Sequence, residues 1–307
     1  MIHCALSLET LPSNDKEMPT TPQQKDKMTH SPVLELKLAH SPDSDDAFMF
    51  YALATRRIRS HSLLFTHVLE DIQTLNQKAL HGTYDITAIS FAAYPLVAQH
   101  YVLLSCGASF GERYGPIVVA RSPLPDGLKG KRVAVPGAAT SSYLVLRLYE
   151  PEIEPLFTPF DQIFERVASG EAEAGVVIHE GQLTYVGHGL TKILDLGEWW
   201  HQQTNLPLPL GANAIRRSLG EQVQKQVSEL MKESIQYAFD HREEALAYAL
   251  QFARGLDTVT TDRFVSMYVN DWTLDCGRRG RDAVQTLLDH GFKKGLLPGA
   301  PQVEFVE

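Results

Sequence analysis

From residue 34 onward, short apolar runs alternate with stretches of helical periodicity. LELKLAH (34–40) alternates apolar and polar side chains, the period of a strand with one buried face, and breaks at Ser41-Pro42. AFMFYALAT then reads as a helix opened by serine and aspartate, and LLFTHV (63–68) as a strand. DIQTLNQKALHG sets Ile72, Leu75 and Ala79 on one helical face and stops at Gly82, a residue suited to a left-handed helix end. YDITAIS (84–90), YVLLSCG, GPIVVAR (115–121), KRVAVPG (131–137), AEAGVVIHE and TKILDLG continue the strands. Helices are predicted over FAAYPLVAQHY, TSSYLVLRLYE and FDQIFERVASG. Repeated β-α units of this kind predict an α/β fold with mainly parallel sheets.

The last third changes character. Ser218-x-x-Glu221 has the spacing of a capping box, and behind it Val223, Val227, Leu230, Met231, Ile235 and Ala238 follow a helical stripe. REEALAYALQFARG and GRDAVQTLLDHG predict two further helices, each ending at glycine. An α/β body closed by a helical C-terminal segment suits two lobes around a cleft, with the chain crossing twice. The crossings are expected at Gly115–Arg121 and 206–217. Lobe 1 is then 34–118 plus 214–307, and lobe 2 is 119–213.

Composition narrows the partners. Of 307 residues, 44% are hydrophobic and 21% charged, ordinary for a globular chain, and the net charge of −9 comes without a basic stripe. Nucleic acid is therefore excluded as a partner, and an anionic ligand has to be held by local donors. Cys4, Cys106 and Cys276 are far apart and form no CxxC, which points to neither a zinc site nor a disulfide framework. Cys106 reads as a small buried residue within a strand. The first 33 residues are rich in Pro, Thr, Gln and Lys, and their one apolar stretch is broken by Glu9 with no basic residue before it. That is no secretory signal, and the expectation is a disordered extension over 1–33, with Met28 a candidate true start. No run approaches the ~20 apolar residues of a membrane helix. A soluble cytoplasmic protein, monomer or homodimer, without membrane contact, is expected.

Four places carry candidate chemistry. In SPDSDDAF (41–48), Ser41 and Ser44 can cap the following helix, whose free amides can take a carboxylate or phosphate. Asp43, Asp45 and Asp46 either belong to such a site or merely offset the helix dipole. PGAATSSY (136–143), again between strand and helix, offers Thr140, Ser141 and Ser142 either as an anion cradle or as a plain N-cap; no GK[ST] follows. TAISFAAY (87–94) repeats the arrangement with Ser90 at the strand end. All three junctions lie at the carboxyl ends of strands, where open α/β sheets bind ligands. GVVIHEGQLTY ends an apolar strand in His179, whose ordinary pKa near ~6.5 suits a general base, although a strand-end histidine is also a common structural residue. A zinc HExxH would need histidine where Leu183 stands. Trp199-Trp200 either walls an aromatic ligand or packs between lobes. No GxSxG or GxGxxG is present, which disfavours triad hydrolysis and hydride transfer.

SPDSDDAFMFYAL, VLEDIQTLNQKAL, TAISFAAYPLV, YGPIVVAR, RVAVPGAATSSYLVL, GVVIHEGQLTY, ILDLGEWWHQQTNLPLPLGA and YVNDWTLDCGRRG follow one another in an order that resembles the 1,4-dihydroxy-6-naphthoate synthase family of the futalosine route to menaquinone, over about residues 36–296. The resemblance implies a periplasmic-binding-protein type II fold without transport. It also implies cleavage of cyclic dehypoxanthinylfutalosine to 1,4-dihydroxy-6-naphthoate without metal or redox cofactor, on a small anionic aromatic substrate. It places the proton acceptor at His179 and substrate contacts at Ala88, Ile89, Ser90, Ser141 and Ser142, with Thr140 and Ser41 beside them. The family more often reads SPCPNDTF where this chain has SPDSDDAF, so carboxylates replace an Asn and a Thr-bearing loop. The alternatives are a chorismate-dehydratase-like member of the same superfamily, or a cytoplasmic solute-binding or sensor protein of the same fold.

Overall fold

In the computed structural model, which describes residues 33–306, the strands are β1 (Leu34–His40), β2 (Leu63–Leu69), β3 (Ile86–Ser90), β4 (Tyr101–Leu103), β5 (Ser109–Gly111), β6 (Ile117–Ala120), β7 (Arg132–Val135), β8 (Glu154–Phe157), β9 (Ala174–Val177), β10 (Thr191–Asp195) and β11 (Leu208–Arg216). Of the predicted extension over 1–33 only Val33 is among the described residues; Met28 and Cys4 lie outside them.

Two sheets form, one ordered β2-β1-β3-β11-β4 with β5 also on β11, the other β10-β6-β9-β7-β8. The β-α units predicted from periodicity give the parallel pairs β1/β2, β1/β3, β7/β8 and β7/β9. The sheets are nonetheless mixed. β11 runs antiparallel to β3, β4 and β5, and β6 antiparallel to β9 and β10. Both are the first strands entered after the chain changes sheet, between β5 and β6 and again between β10 and β11. A strand entered from the opposite sheet is not placed by a β-α-β crossover within its own sheet, so nothing holds it to the parallel direction.

The helices that matter for the site are α1 (Ser44–Ala54), α2 (Ile72–Ala79), α3 (Ser141–Tyr149), α4 (Leu196–Thr204), α5 (Glu221–Asp240), α6 (Thr258–Tyr268) and α7 (Gly277–Lys293). α1 is buried from Ala47 to Leu53, covered by the Val227, Met231, Ile235 stripe of α5. The expected capping box at α5 does not form. Ser218 lies in a 3-10 turn (Arg217–Leu219), and Gly220 with φ 79° takes the N-cap position without a side-chain bond. Cys106 is buried as expected, but in the bend after β4 rather than in a strand, and burial pushes its thiol up to about 11. Trp200 is fully buried, packed with Leu196, Leu208 and Leu287, and its indole donates to the Pro207 carbonyl at 3.1 Å. It therefore serves packing, not a ligand. Among the described residues no helix is long and apolar enough to cross a membrane.

Candidate active site

The carboxyl ends of β1, β3, β7 and β9 converge on one cleft. From the first sheet it is lined by Ser41, Asp45 and Asp46, by Ala88, Ile89 and Ser90, and by Gly211 to Asn213; from the second by Thr140, Ser141, Ser142 and Ile178. Every predicted contact residue is therefore at one site. His179 is the exception: Ile178 lines the cleft, while the imidazole lies one residue further along, at its edge.

At the β3 end, Ser90 is oriented by Asn76, a buried residue of α2. The Asn76 side-chain oxygen accepts from the Ser90 amide at 2.8 Å, and its amide nitrogen donates to the Ser90 hydroxyl at 3.0 Å. A hydroxyl that accepts from asparagine keeps its own proton to donate into the cleft. Sequence patterning missed Asn76 because it sits on the face of α2 opposite to solvent, where a small apolar residue is the usual occupant.

At the β7 end the two readings of PGAATSSY divide between its residues. Thr140 is the N-cap of α3: its hydroxyl donates to the Gly137 carbonyl at 2.8 Å and accepts from the Tyr143 amide and the Ser142 hydroxyl. Ser141 donates to the Leu210 carbonyl at 2.6 Å and accepts from the Ala92 amide, so its side chain ties the two sheets together. Both hydroxyls are engaged. The first-turn amides of Ser141 and Ser142, which have no intrahelical acceptor, remain as donors for an anion.

The α1 end is chemically different. Neither Ser41 nor Ser44 caps the helix: Asp43 is the N-cap and makes no side-chain cap bond. The Ser44 hydroxyl is drawn instead to Glu180, 3.0 Å away, and the Asp46 carboxylate accepts from the Ser41 amide at 2.8 Å. Burial raises both cleft carboxyls. Asp45 is pushed well above the usual range by desolvation first, then by Asp46, Asp43 and Glu180. Asp46 is raised to about 7 by desolvation, against the lowering effect of the Ser41 amide. Burial thus shifts Asp45 toward its neutral form, in which a carboxyl presents a donor rather than a charge.

His179 is held at both nitrogens. Nδ1 accepts from the Gly181 amide at 3.0 Å, so Nε2 carries the proton and donates to the Phe160 carbonyl at 3.2 Å. The Phe160 ring meets it edge-on at 5.2 Å, and Phe164 lies beyond. A Cβ on Gly181 would stand 2.8 Å from the imidazole, so this turn requires glycine. Desolvation lowers the His179 pKa below its ordinary value, opposed by Asp43 and Glu180 and assisted by Arg254. The ring is neutral around pH 7, with Nδ1 its basic atom.

Two further lining residues lay hidden in apolar sequence. Tyr268, at the end of α6, donates to the Gln182 side chain at 2.8 Å and so links the helical segment to the turn after His179. Asn213 on β11 donates to the Gly107 carbonyl at 2.9 Å, leaving its buried oxygen unpartnered. Among the described residues, no cluster of three His, Cys, Asp or Glu is placed to hold a metal ion.

Comparison with known proteins adds three findings. A model of the family described as menaquinone biosynthesis matches residues 36–293. The 1,4-dihydroxy-6-naphthoate synthases of Thermus thermophilus and Streptomyces coelicolor are 44% and 36% identical over 265 and 263 residues, covering 86% and 84% of this chain and 97% and 93% of theirs. A crystal structure of an Archaeoglobus fulgidus protein superimposes with a TM-score of 0.83 at 46% identity, over 86% of this chain and 98% of that one. A periplasmic aliphatic sulphonate binding protein of Escherichia coli gives a TM-score of 0.63 at 15% identity, over 89% and 96%, a likeness of fold alone.

Proposed function

The chain belongs to the menaquinone biosynthesis family, and we propose that it is a cytoplasmic 1,4-dihydroxy-6-naphthoate synthase, a carbon–carbon lyase acting on cyclic dehypoxanthinylfutalosine with His179 as general base. The observation that carries this reading is the convergence of Ala88–Ser90 from one sheet and Ser141–Ser142 from the other on a single cleft with a neutral histidine at its edge.

The division of labour follows from what each group has free. The amides of Ser141 and Ser142 take the substrate carboxylate at the start of α3, and the Ser90 hydroxyl donates a further hydrogen bond. Asp45, pushed by burial toward its neutral form, can donate to a neutral substrate oxygen and repels the anion less than a charged carboxylate would. This explains how carboxylates can replace the more usual asparagine-bearing loop in a site for an acid. His179 takes its proton at Nδ1, which requires the Gly181 amide to release that lone pair as the substrate settles between the lobes. Formation of the aromatic naphthoate drives bond cleavage forward, and the protein supplies positioning and one base.

The test is incubation of the purified protein with cyclic dehypoxanthinylfutalosine, following 1,4-dihydroxy-6-naphthoate by mass. Wild type releases it; His179→Ala binds the substrate by calorimetry but turns over at least ~100-fold more slowly. Undiminished turnover in His179→Ala removes the base assignment. Binding without turnover in wild type makes the protein a solute binder of the same fold.

A further inference from the structure

Arg254 follows the helix Arg242–Ala249 in a stretch, FARG, that reads as no more than a basic residue near a helix end. Its backbone is unusual: φ is 51°, and Gly255 after it has φ 84°. Left-handed backbone at a side chain as large as arginine is unfavourable and persists only where the side chain is held by its surroundings.

What holds it lies beside His179. One guanidinium nitrogen donates to the Glu180 carboxylate at 2.9 Å, and another pairs with Asp43 at the start of α1. The guanidinium carbon also stands 5.0 Å from the centre of the Phe160 ring. Glu180 is only 4% exposed, and its other oxygen accepts from Ser44. A carboxylate this buried, stripped of its cation, has to turn toward water or take up a proton.

Resting on the reading of His179 as the base, we propose that Arg254 is a positioning residue that acts through Glu180 and Phe160 to hold the His179 imidazole in its reactive orientation. Glu180 begins the turn whose next residue supplies the Gly181 amide to Nδ1. Phe160 supplies the carbonyl that receives the Nε2 proton. Arg254 thus touches the side chain of Phe160 and the residue before Gly181, the two residues that position the supports of the ring, and not the ring itself. Because Arg254, Asp43 and Ser44 lie on the side of the first sheet while Glu180 follows β9 of the second, the Arg254–Glu180 ion pair and the Ser44–Glu180 hydrogen bond also join the two sides at the mouth of the cleft, with Asp43 anchoring the guanidinium.

The charged groups facing the imidazole are Asp43, Glu180 and Arg254; Phe160 and Phe164 complete its surroundings without charge, and His188 stacks beyond Phe164. Arg254 lowers the pKa of His179, whereas Asp43 and Glu180 raise it. Neutralising either partner therefore moves the base in opposite directions, which loss of stability alone does not do.

The experiment measures kcat and KM against pH for cleavage of cyclic dehypoxanthinylfutalosine by wild type, Arg254→Met, Arg254→Lys, Glu180→Gln and His179→Asn. Expected for Arg254→Met is a fall in kcat of about 10- to 100-fold with KM within about threefold, and an acid limb displaced upward. Glu180→Gln displaces it downward, and Arg254→Lys recovers part of kcat with the limb near its original place. Wild-type kcat in Arg254→Met, or reduced kcat with both limbs unmoved, overturns the proposal while leaving His179 as the base. Normal turnover in His179→Asn overturns the base itself. If Arg254→Met fails to fold, Arg254→Lys and Glu180→Gln decide by the same two readouts.

Discussion

Gly197, the glycine of the DLGEWW run, allows a sharp test of how the two sheets are joined. Asp195 caps α4 by accepting from the Gly197 and Glu198 amides, both at 3.0 Å, and the Leu196 amide donates to the Pro116 carbonyl. The chain crossing from β5 to β6 passes directly over this helix start. A Cβ on Gly197 would lie 1.9 Å from the Tyr114 carbonyl oxygen and 2.5 Å from the Gly115 nitrogen, where real contacts stay beyond 3.0 Å. The obstacle is backbone, so Gly197→Ala forces the crossing segment back by about 1 Å. Overpacking of this kind costs about 3 kcal/mol, less up to ~1 kcal/mol recovered from alanine's better helix propensity. A net loss of about 2 kcal/mol corresponds to a Tm lower by roughly 3 °C for a chain of this size. The control is Gly187→Ala, in the exposed 3-10 turn Tyr185–His188, where an added Cβ meets nothing within 4 Å. That change should be neutral or stabilising by up to ~1 kcal/mol. Circular-dichroism melts of the three proteins measure both. Equal melting of Gly197→Ala and wild type would refute the argument, as would equal shifts in both variants. The crossing also reaches the site: the Tyr114 ring meets Tyr268 edge-on at 5.9 Å, and Tyr268 lines the cleft. KM is therefore expected to rise in Gly197→Ala.

Asn76→Ala removes both partners that hold Ser90, with an expected loss of about 2–3 kcal/mol in stability by urea denaturation and a raised KM; an unchanged KM contradicts the role given to Ser90. Asp45→Asn keeps a hydrogen-bond donor but removes an ionisation, so it should retain activity at neutral pH and lose any fall of kcat/KM on the alkaline side that wild type shows; collapse at pH 7 would mean that the ionised form is the working one. Stability against pH tests the α1 loop. His40, held near about 3 by burial and His67, resists a proton that the unfolded chain accepts below about 6.5, so it lowers stability as pH falls. Asp46, raised to about 7, retains a proton that the unfolded chain loses above about 3.8, so it raises stability as pH falls and offsets His40 between those limits. Asp46→Asn removes the offset and should add a loss of up to about 1.4 kcal/mol per pH unit from pH 6.5 to 4, read by urea denaturation at four pH values; an unaltered slope contradicts the pairing.

How far the sequence carries depends on the range of the interaction. Strand and helix period located Ser90 and Thr140–Ser142, because a polar residue ending an apolar strand is a local signal, whereas Ala88 and Ile89 came only with the family resemblance. Strand direction is not local. β6 and β11 read as strands like the others, and only the change of sheet makes them antiparallel. The misread caps have the same origin. Ser44 has the composition of a cap, but its hydroxyl bonds Glu180, 136 residues away, and Ser218 lost the N-cap to a glycine whose left-handed φ no window average detects. Arg254 and Tyr268 were invisible for that reason too: each gains its role from a partner far along the chain, 74 and 86 residues away.

The aspartates of SPDSDDAF bring these strands together. Read as a sequence, three carboxylates beside an anion site are a contradiction, and offsetting the helix dipole is the plain resolution. Their partners divide them instead. Asp43 is paired with Arg254, and so anchors the cation that reaches across to Glu180. Asp46 is held by the Ser41 amide and balanced near neutrality beside His40. Asp45, shifted toward its neutral form by burial and the neighbouring carboxylates, faces the cleft. One acidic run therefore supplies an anchor for Arg254, a pH-balancing group and a cleft-facing carboxyl. Asp43→Asn should then weaken the hold on Arg254 and slow turnover with little change in affinity, whereas Asp45→Ala should weaken affinity more than turnover. Measured kcat and KM for the two variants separate these roles, and matching changes in both would return the loop to the simpler status of a helix start.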